Sequence, residues 1–237
     1  MTDALLVVLI ATGAVAQGIS GIGFGLICGP ILVGALGTTD GVRVSVLFSL
    51  IVNIGVLARE HRHVALRPAV GLLLPAVLAT PLLAVALHQL PEQAGEVAAG
   101  LAAILGASAL AARLRWPAAA SRKGMVGAAI VSAAMNDAAG IGGPAVALWA
   151  DNAGWAHEKT RGTLQVYFLA LNSVALGTLG FPRQSTGRYA EELAALAVGF
   201  LLGGLLARRV SGPTARGLTL ALAGAGGLVV LGQAAAG

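Results

Sequence analysis

Two glycine-rich motifs are the first feature of this chain whose residue types and spacing could bind a solute. Residues 21–25 read Gly-Ile-Gly-Phe-Gly, and residues 140–143 read Gly-Ile-Gly-Gly. Glycine lets the backbone turn sharply and brings backbone N–H groups close to a ligand. A helix that begins at such a turn presents partial positive charge and unpaired N–H donors, which favour an anion. The predicted solute-binding glycines are therefore Gly21, Gly23, Gly25, Gly140, Gly142 and Gly143.

Two asparagines lie in the middle of apolar runs, where polar side chains are few. Asn53 and Asn172 are 119 positions apart, the same separation as that between Gly21 and Gly140. An amide can donate a hydrogen bond to a solute oxygen, and it can equally join two helices. Asn53 and Asn172 are therefore further candidates for the binding site, with interhelical bonding as the open alternative.

Charged residues near the motifs suggest how a solute could be attracted and moved. Asn136 and Asp137 directly precede the second motif. An acid at membrane depth is costly and indicates a function, so Asn136 and Asp137 are candidates for coupling, with Asp137 as the carrier of a proton. Arg43 and Arg161 lie at the edges of the runs that contain Asn53 and Asn172. They could draw anions inward or anchor the chain at lipid headgroups.

The elements that must position these residues are membrane helices. Of the 237 residues, 57% are hydrophobic and only 11% are charged, whereas soluble proteins carry about 25% charged residues. A helix crosses the bilayer with about 20 apolar residues. Six runs fit this length: Gly41–Ala58, Arg67–Leu87, Gly95–Ala112, Gly162–Gly180, Tyr189–Ala207 and Thr214–Gln233. Two longer stretches, Ala4–Leu36 and Gly124–Ala150, are interrupted by the glycine motifs. The predicted fold class is an all-α polytopic membrane protein.

The matching positions of the motifs and asparagines indicate an internal duplication. Residues 1–118 form the predicted first membrane repeat and residues 119–237 the second, each with one broken segment followed by three transmembrane helices. Glycines can also serve only close helix packing. Broken segments at corresponding positions of two halves instead favour a transport site near the membrane midplane.

The loop charges predict how the broken segments are inserted. Cytoplasmic loops of membrane proteins are enriched in Lys and Arg. If the broken segments are re-entrant hairpins, three of the 15 Lys and Arg residues lie outside: Arg43, Arg183 and Arg188. If they cross, six lie outside, namely Arg43, Lys159, Arg161, Arg208, Arg209 and Arg216. The hairpin arrangement fits better, and it predicts two inverted repeats with both termini outside.

The same composition excludes several other functions. The net charge is +5, but the basic residues occupy gaps between apolar runs, so they indicate membrane orientation and not nucleic acid. All four histidines also lie in gaps, which argues against a metal site: His61, His63, His88 and His157. The sequence contains no cofactor motif. The absence of a phosphate-binding P-loop leaves an ion gradient or the solute's own gradient as the driving force. The Gly199–Gly203 spacing predicts helix packing within or between protomers, which makes a homodimer a candidate assembly.

The first broken segment resembles a known family of membrane transporters. The run Gly18–Leu32, with its Pro-x-Leu ending, and its counterpart around Gly140 are similar to the paired glycine-rich motifs of the TauE/SafE permeases, the sulfite exporter family. In the second half, Pro144 follows the glycines directly and Pro-x-Leu is missing. The resemblance implies a secondary permease of the cytoplasmic membrane for a small anion, with sulfite or an organosulfonate as the solute.

Two further functions remain open from the residues alone. The chain could be a non-transporting membrane subunit of a larger complex, active only with its partner. It could also be an intramembrane serine protease, because Gly18-Ile19-Ser20-Gly21 has the Gly-x-Ser-Gly form. A nucleophilic serine needs a base within hydrogen-bonding distance, and no histidine lies inside an apolar run. The sequence therefore favours a permease over an enzyme.

Overall fold

A computed structural model describes residues 3–207, 209–210 and 212–236, so Arg208, one of the loop charges, lies outside the described residues. Within these ranges the chain forms ten α-helices and no strand, with short 3₁₀ segments at His61–His63 and Pro117–Ala120. The helices are α1 (Asp3–Ser20), α2 (Phe24–Leu36), α3 (Thr38–Glu60), α4 (Leu66–His88), α5 (Glu92–Ala111), α6 (Arg122–Ala139), α7 (Gly143–Asn152), α8 (His157–Leu179), α9 (Thr186–Leu206) and α10 (Gly212–Ala236).

The helices confirm the predicted all-α membrane fold. Each of the six unbroken apolar runs corresponds to one helix, and the ends differ by a few residues. In the described part of the chain, seven helices are long and apolar enough to cross a membrane: α1, α3, α4, α5, α8, α9 and α10. Helix α4 exposes a stripe of aliphatic side chains at every fourth position, namely Leu66, Val70, Leu74, Leu78 and Leu82. Such a stripe is suited to contact with lipid and unsuited to contact with water.

Both broken segments are interrupted at their glycines. Helix α1 ends at Ser20 and α2 begins at Phe24, while α6 ends at Ala139 and α7 begins at Gly143. The first glycine of each motif has a positive φ, +76° at Gly21 and +68° at Gly140. This left-handed conformation ends the preceding helix and is strained for residues with a Cβ.

Each broken segment turns back on itself. Helices α1 and α2 pack antiparallel, because Gly13 faces Phe24 and the Cys28 thiol donates to the carbonyl of Leu9 at 3.3 Å. In the second segment, Asn152 at the end of α7 donates to the carbonyl of Leu114 and accepts from the N–H of Trp116, just before α6. The end of α7 therefore returns to where α6 begins.

The long helices α3 and α8 form the centre of the bundle. Of their apolar windows, 56% is buried, compared with 22% for α4 and α9. They run antiparallel, since Arg43 donates to the carbonyl of Leu179 and Arg161 lies 3.5 Å from Glu60. We call the side where α3 begins the first end and the side where α8 begins the second end. Helix α2 leads through Gly37 into the first end, and α7 leads into the second.

Gly199 and Gly203 of α9 pack against α1 of the same protomer. Gly199 packs against the backbone of Ala11, and Gly203 packs against the backbone of Val15. A side chain at either glycine would meet main-chain atoms of α1, so these glycines allow α1 and α9 to approach closely.

Candidate functional site

The turns of the two broken segments meet inside the bundle. Gly25 faces the carbonyl oxygen of Gly140, and Gly29 faces that of Ala139, so closely that neither position has room for a Cβ. On the other side of the contact, Gly143 packs against the side chain of Ile22. The glycines thereby bring the starts of α2 and α7 to the same place.

A polar cavity of about 30 Å³ lies between these two helix starts, and we call it the central cavity. Its walls come from α1, α2, α3, α6, α7 and α8 and the two turns. None of the described residues that line the cavity carries a charged side chain. The lining residues are Gln17, Ile22, Gly23, Gly25, Leu26, Ser49, Asn53, Asn136, Gly140, Gly142, Gly143, Phe168 and Asn172.

The structure brings together most of the residues that the sequence singled out. Of the eight predicted binding residues, Gly21 alone is absent from the lining. Its Cα faces the side chain of Arg161, and its carbonyl accepts hydrogen bonds from Gln17 (3.1 Å) and Gln165 (2.9 Å). Gly21 therefore shapes the turn from outside the cavity. A binding role for the lining residues stays a prediction.

Gln17 is a site residue that sequence analysis missed. Its Oε1 accepts hydrogen bonds from the N–H groups of Gly23 (2.6 Å) and Phe24 (3.0 Å), and its Nε2 donates to Asn53 Oδ1 at 2.9 Å. The side chain therefore caps the start of α2, where the first N–H groups lack intrahelical partners. The signal was available, because Gln17 precedes Asn136 by 119 positions.

Three other polar atoms of the cavity lining have no partner in the described part of the chain. Asn136 Nδ2, Asn172 Oδ1 and Ser49 Oγ are buried and have no hydrogen-bond partner among the described residues. Asn136 is 2% exposed and Asn172 is 3% exposed. Buried polar groups are nearly always hydrogen-bonded, so these atoms are suited to contact with a solute or with water.

Two consecutive side-chain hydrogen bonds stabilise the second turn. Tyr167 donates to Ser132 at 2.9 Å, and Ser132 donates to the carbonyl of Gly142. All three residues are buried, so these bonds are shielded from competition with water. These two hydrogen bonds hold the backbone that leads into α7.

Asp137 does not reach the central cavity. Its side chain is 1% exposed and lies beside a separate cavity of about 10 Å³, which is also lined by Thr38, Leu87 and Gly95. Neither carboxylate oxygen has a hydrogen-bond partner among the described residues. Its neighbour Asn136 faces the central cavity, so the two coupling candidates belong to different sites.

The two predicted arginines also lie outside the central cavity. Arg43 donates to the carbonyl of Leu179 at 2.6 Å, and this hydrogen bond caps the end of α8. Arg43 also forms an ion pair with Asp40 at 2.9 Å. Arg161 donates to the carbonyl of Gly18 at 3.1 Å and lies 3.5 Å from Glu60. Arg161 therefore stands beside the first turn at the second end.

Ser20 is bonded within its own turn. Its Oγ lies within hydrogen-bonding distance of the carbonyls of Ala16 (2.8 Å) and Ile22 (2.5 Å) and of the N–H of Ile22 (3.2 Å). These contacts stabilise the end of α1, which is a structural use of the hydroxyl.

Comparison with known proteins assigns the chain to a family. A sequence model described as sulfite exporter TauE/SafE matches residues 5–232, nearly the whole chain. No curated protein and no solved structure matches the chain. The match covers both glycine motifs and every helix in full or in large part. The chain therefore belongs to the sulfite exporter TauE/SafE family of multi-pass membrane transporters.

Proposed function

We propose that this protein is a secondary permease for a small anion, with sulfite or an organosulfonate as its solute. The observation that carries the proposal is the convergence of the α2 and α7 starts on a cavity with an unpartnered, buried amide at Asn136. Helix starts carry partial positive charge, and transporters direct such broken helices at anionic solutes. The sulfur chemistry of the solute comes from the family.

The neutral lining suits transport better than permanent capture. Amide and hydroxyl donors together with helix dipoles can hold an anion, and no guanidinium or ammonium group of the described residues lines the cavity to retain it. The volume of about 30 Å³ corresponds to roughly one water in liquid. A sulfur oxyanion therefore needs the hairpin turns to separate before it can enter.

The arrangement of the hairpins supports alternating access. We take residues 1–118 and 119–237 as two inverted repeats, because α1–α2 leads into α3 at the first end while α6–α7 leads into α8 at the second. Rocking of one repeat against the other would expose a fixed central site to each side in turn. Because most of the Lys and Arg residues lie in loops at the second end, this end faces the cytoplasm when the protein is inserted in the cell membrane.

Asp137 is the proposed site of a coupling proton. A carboxylate that is buried without a partner is stable only when it is neutral or when it gains a cation. Because Asp137 and Asn136 are consecutive residues of α6, movement of this helix would couple protonation to the central cavity. Asp137 would then couple the solute to a proton gradient.

Flux into liposomes tests the permease proposal. The purified protein is reconstituted alone and assayed with sulfite, organosulfonates, small carboxylates, a cation and a neutral solute. Saturable flux of sulfite or an organosulfonate is expected. Flux of a cation or neutral solute without flux of any anion would refute the proposal. Anion flux that requires an added cellular membrane fraction would favour the subunit function.

A further inference from the structure

A second cavity opens at the second end of the bundle and extends to the first hairpin turn. Its volume is about 320 Å³, roughly tenfold that of the central cavity, and we call it the vestibule. Its walls come from the ends of α1, α5 and α7 and the starts of α2, α8 and α10. The lining residues include Arg113, Asp151, His157, Arg161, Arg216 and Leu220.

The vestibule has an excess of positive charge. Among the described residues, three guanidinium groups line it against one lining carboxylate, that of Asp151, which lies 3.5 Å from Arg216. A second carboxylate, that of Glu60, lies 3.5 Å from Arg161 outside the lining, so Arg113 supplies the charge in excess. Arg216 also donates to the carbonyl of Leu110 at 2.7 Å, which holds its head group at the wall. Clefts lined by one sign of charge concentrate counter-ions. The vestibule is therefore suited to collecting a small anion.

Two aliphatic side chains stand between the vestibule and the central cavity. Ile22 and Leu26 line both cavities. Ile22 packs against Gly143, where a Cβ would lie 2.5 Å from its Cγ2, so it is seated between the two hairpin turns. A barrier formed by these side chains opens when the turns separate.

We propose that the vestibule is a second anion site that loads the central cavity, with Ile22 and Leu26 as the barrier between them. The inference rests on the proposed permease function for its biological role. Its charge selectivity, however, is a property of the vestibule alone. That property can be measured without transport.

Modification of a cysteine in the vestibule tests this selectivity. Leu220→Cys is made in a Cys28→Ala background, and the purified protein reacts with two methanethiosulfonates, one bearing a sulfonate and one a quaternary ammonium. The ratio of the anionic to the cationic rate is compared with that at Thr186→Cys, an exposed position at the first end. We expect the ratio in the vestibule to be roughly tenfold higher in low salt.

Neutralising the arginines identifies the source of the selectivity. Arg113→Gln with Arg216→Gln should bring the ratio to within about twofold of that at Thr186→Cys. The matched control is Arg62→Gln with Arg67→Gln, two exposed arginines at the same end that do not line the vestibule, and it should leave the ratio unchanged. Replacement of Arg113 and Arg216 by Lys should preserve the preference and controls for misfolding.

Three results would overturn the inference: a Leu220→Cys thiol that reacts with neither reagent, equal ratios at the two cysteines, or a ratio insensitive to Arg113 and Arg216. Anion-selective modification together with failure of liposome flux would refute the permease and leave the vestibule as an anion site. Anion flux into liposomes without selective modification of the cysteine would refute the vestibule as an anion site and leave the permease proposal standing.

Discussion

Gln17 and Asn136 occupy equivalent positions in the two halves and differ by one methylene. Gln17 reaches the start of α2 and is saturated by hydrogen bonds to Gly23, Phe24 and Asn53. Asn136 is shorter, and its Nδ2 has no partner among the described residues. In the first half a side chain therefore caps the helix start, while in the second half the corresponding amide leaves a buried donor without a partner among the described residues.

Alanine substitutions should separate these two roles. Gln17→Ala leaves buried N–H groups unpaired and should lower the free energy of unfolding by about 1–3 kcal/mol. Asn136→Ala removes an amide that has no partner for its Nδ2, so it should leave the thermal unfolding temperature nearly unchanged and lower anion flux by roughly tenfold or more. Thermal unfolding and liposome flux, measured on both variants, check this. Equal stability losses would contradict the division of roles.

The glycines of the cavity should differ in their tolerance of a methyl group. At Gly142, which lines the cavity, a Cβ would lie 3.1 Å from Asn136 Oδ1, 3.3 Å from Leu171 and 3.5 Å from Phe168, and these nearest atoms all belong to side chains. Gly142→Ala should therefore insert into the membrane and lose transport by roughly tenfold or more. Gly25→Ala meets the carbonyl of Gly140 and should reduce the yield of folded protein.

The matched control for these glycines is Gly127→Ala. A Cβ at Gly127 in α6 meets no neighbouring atom of the described residues within 4 Å, and alanine is about 1 kcal/mol more favourable than glycine inside a helix. This variant should transport normally. Wild-type flux from Gly142→Ala would show that the glycine is only a spacer.

Asp137→Asn should uncouple transport from the proton gradient. The amide keeps the size of the carboxyl group and cannot release a proton. We expect concentrative uptake driven by a pH gradient to be lost, while exchange of anion for anion persists. Paired uptake and exchange assays in the same liposomes measure both. Gradient-driven uptake at the wild-type rate would remove Asp137 from the mechanism.

At the scale of elements, the helix bounds and both interruptions could be predicted from the sequence. Length, hydropathy and glycine position are local properties, so α2 begins at Phe24 and α7 at Gly143, where the motifs indicated. The faces of the helices could not be predicted in the same way. Consecutive residues of a helix point about 100° apart, which is why Asn136 faces the cavity and Asp137 does not. The rotation of a helix depends on its neighbours.

The hairpin arrangement predicts opposite accessibility for two loops that flank α6–α8. Ala120 lies just before α6, and Thr186 is the first residue of α9, after the loop that joins α8 to α9. Both residues are exposed. If α6–α7 re-enters, α8 is the one crossing between them, and they face opposite sides. In intact cells, an impermeant thiol reagent should label Thr186→Cys and not Ala120→Cys in a Cys28→Ala background. Equal labelling of the two would mean that the second broken segment crosses.

At the scale of the whole molecule, the vestibule, the barrier and the central cavity lie in series from the second end inward. Arg113, Arg161 and Arg216 come from widely separated parts of the chain, so no local pattern could have grouped them. The central cavity was more accessible to prediction, because a duplication repeats its residues at one offset. The repeated offset therefore indicated the residues that line the central cavity, whereas the residues that line the vestibule follow no repeated pattern.

Direct binding tests whether the anion is held between the hairpin turns. The anion with the highest liposome flux is titrated calorimetrically into the wild-type protein, into Asn136→Ala with Asn172→Ala, and into Arg62→Gln with Arg67→Gln as a surface control. The central double variant should bind at least about tenfold more weakly, a loss of about 1.4 kcal/mol, and the surface control should match the wild type. Unchanged affinity in a folded central variant would contradict the central cavity as the binding site.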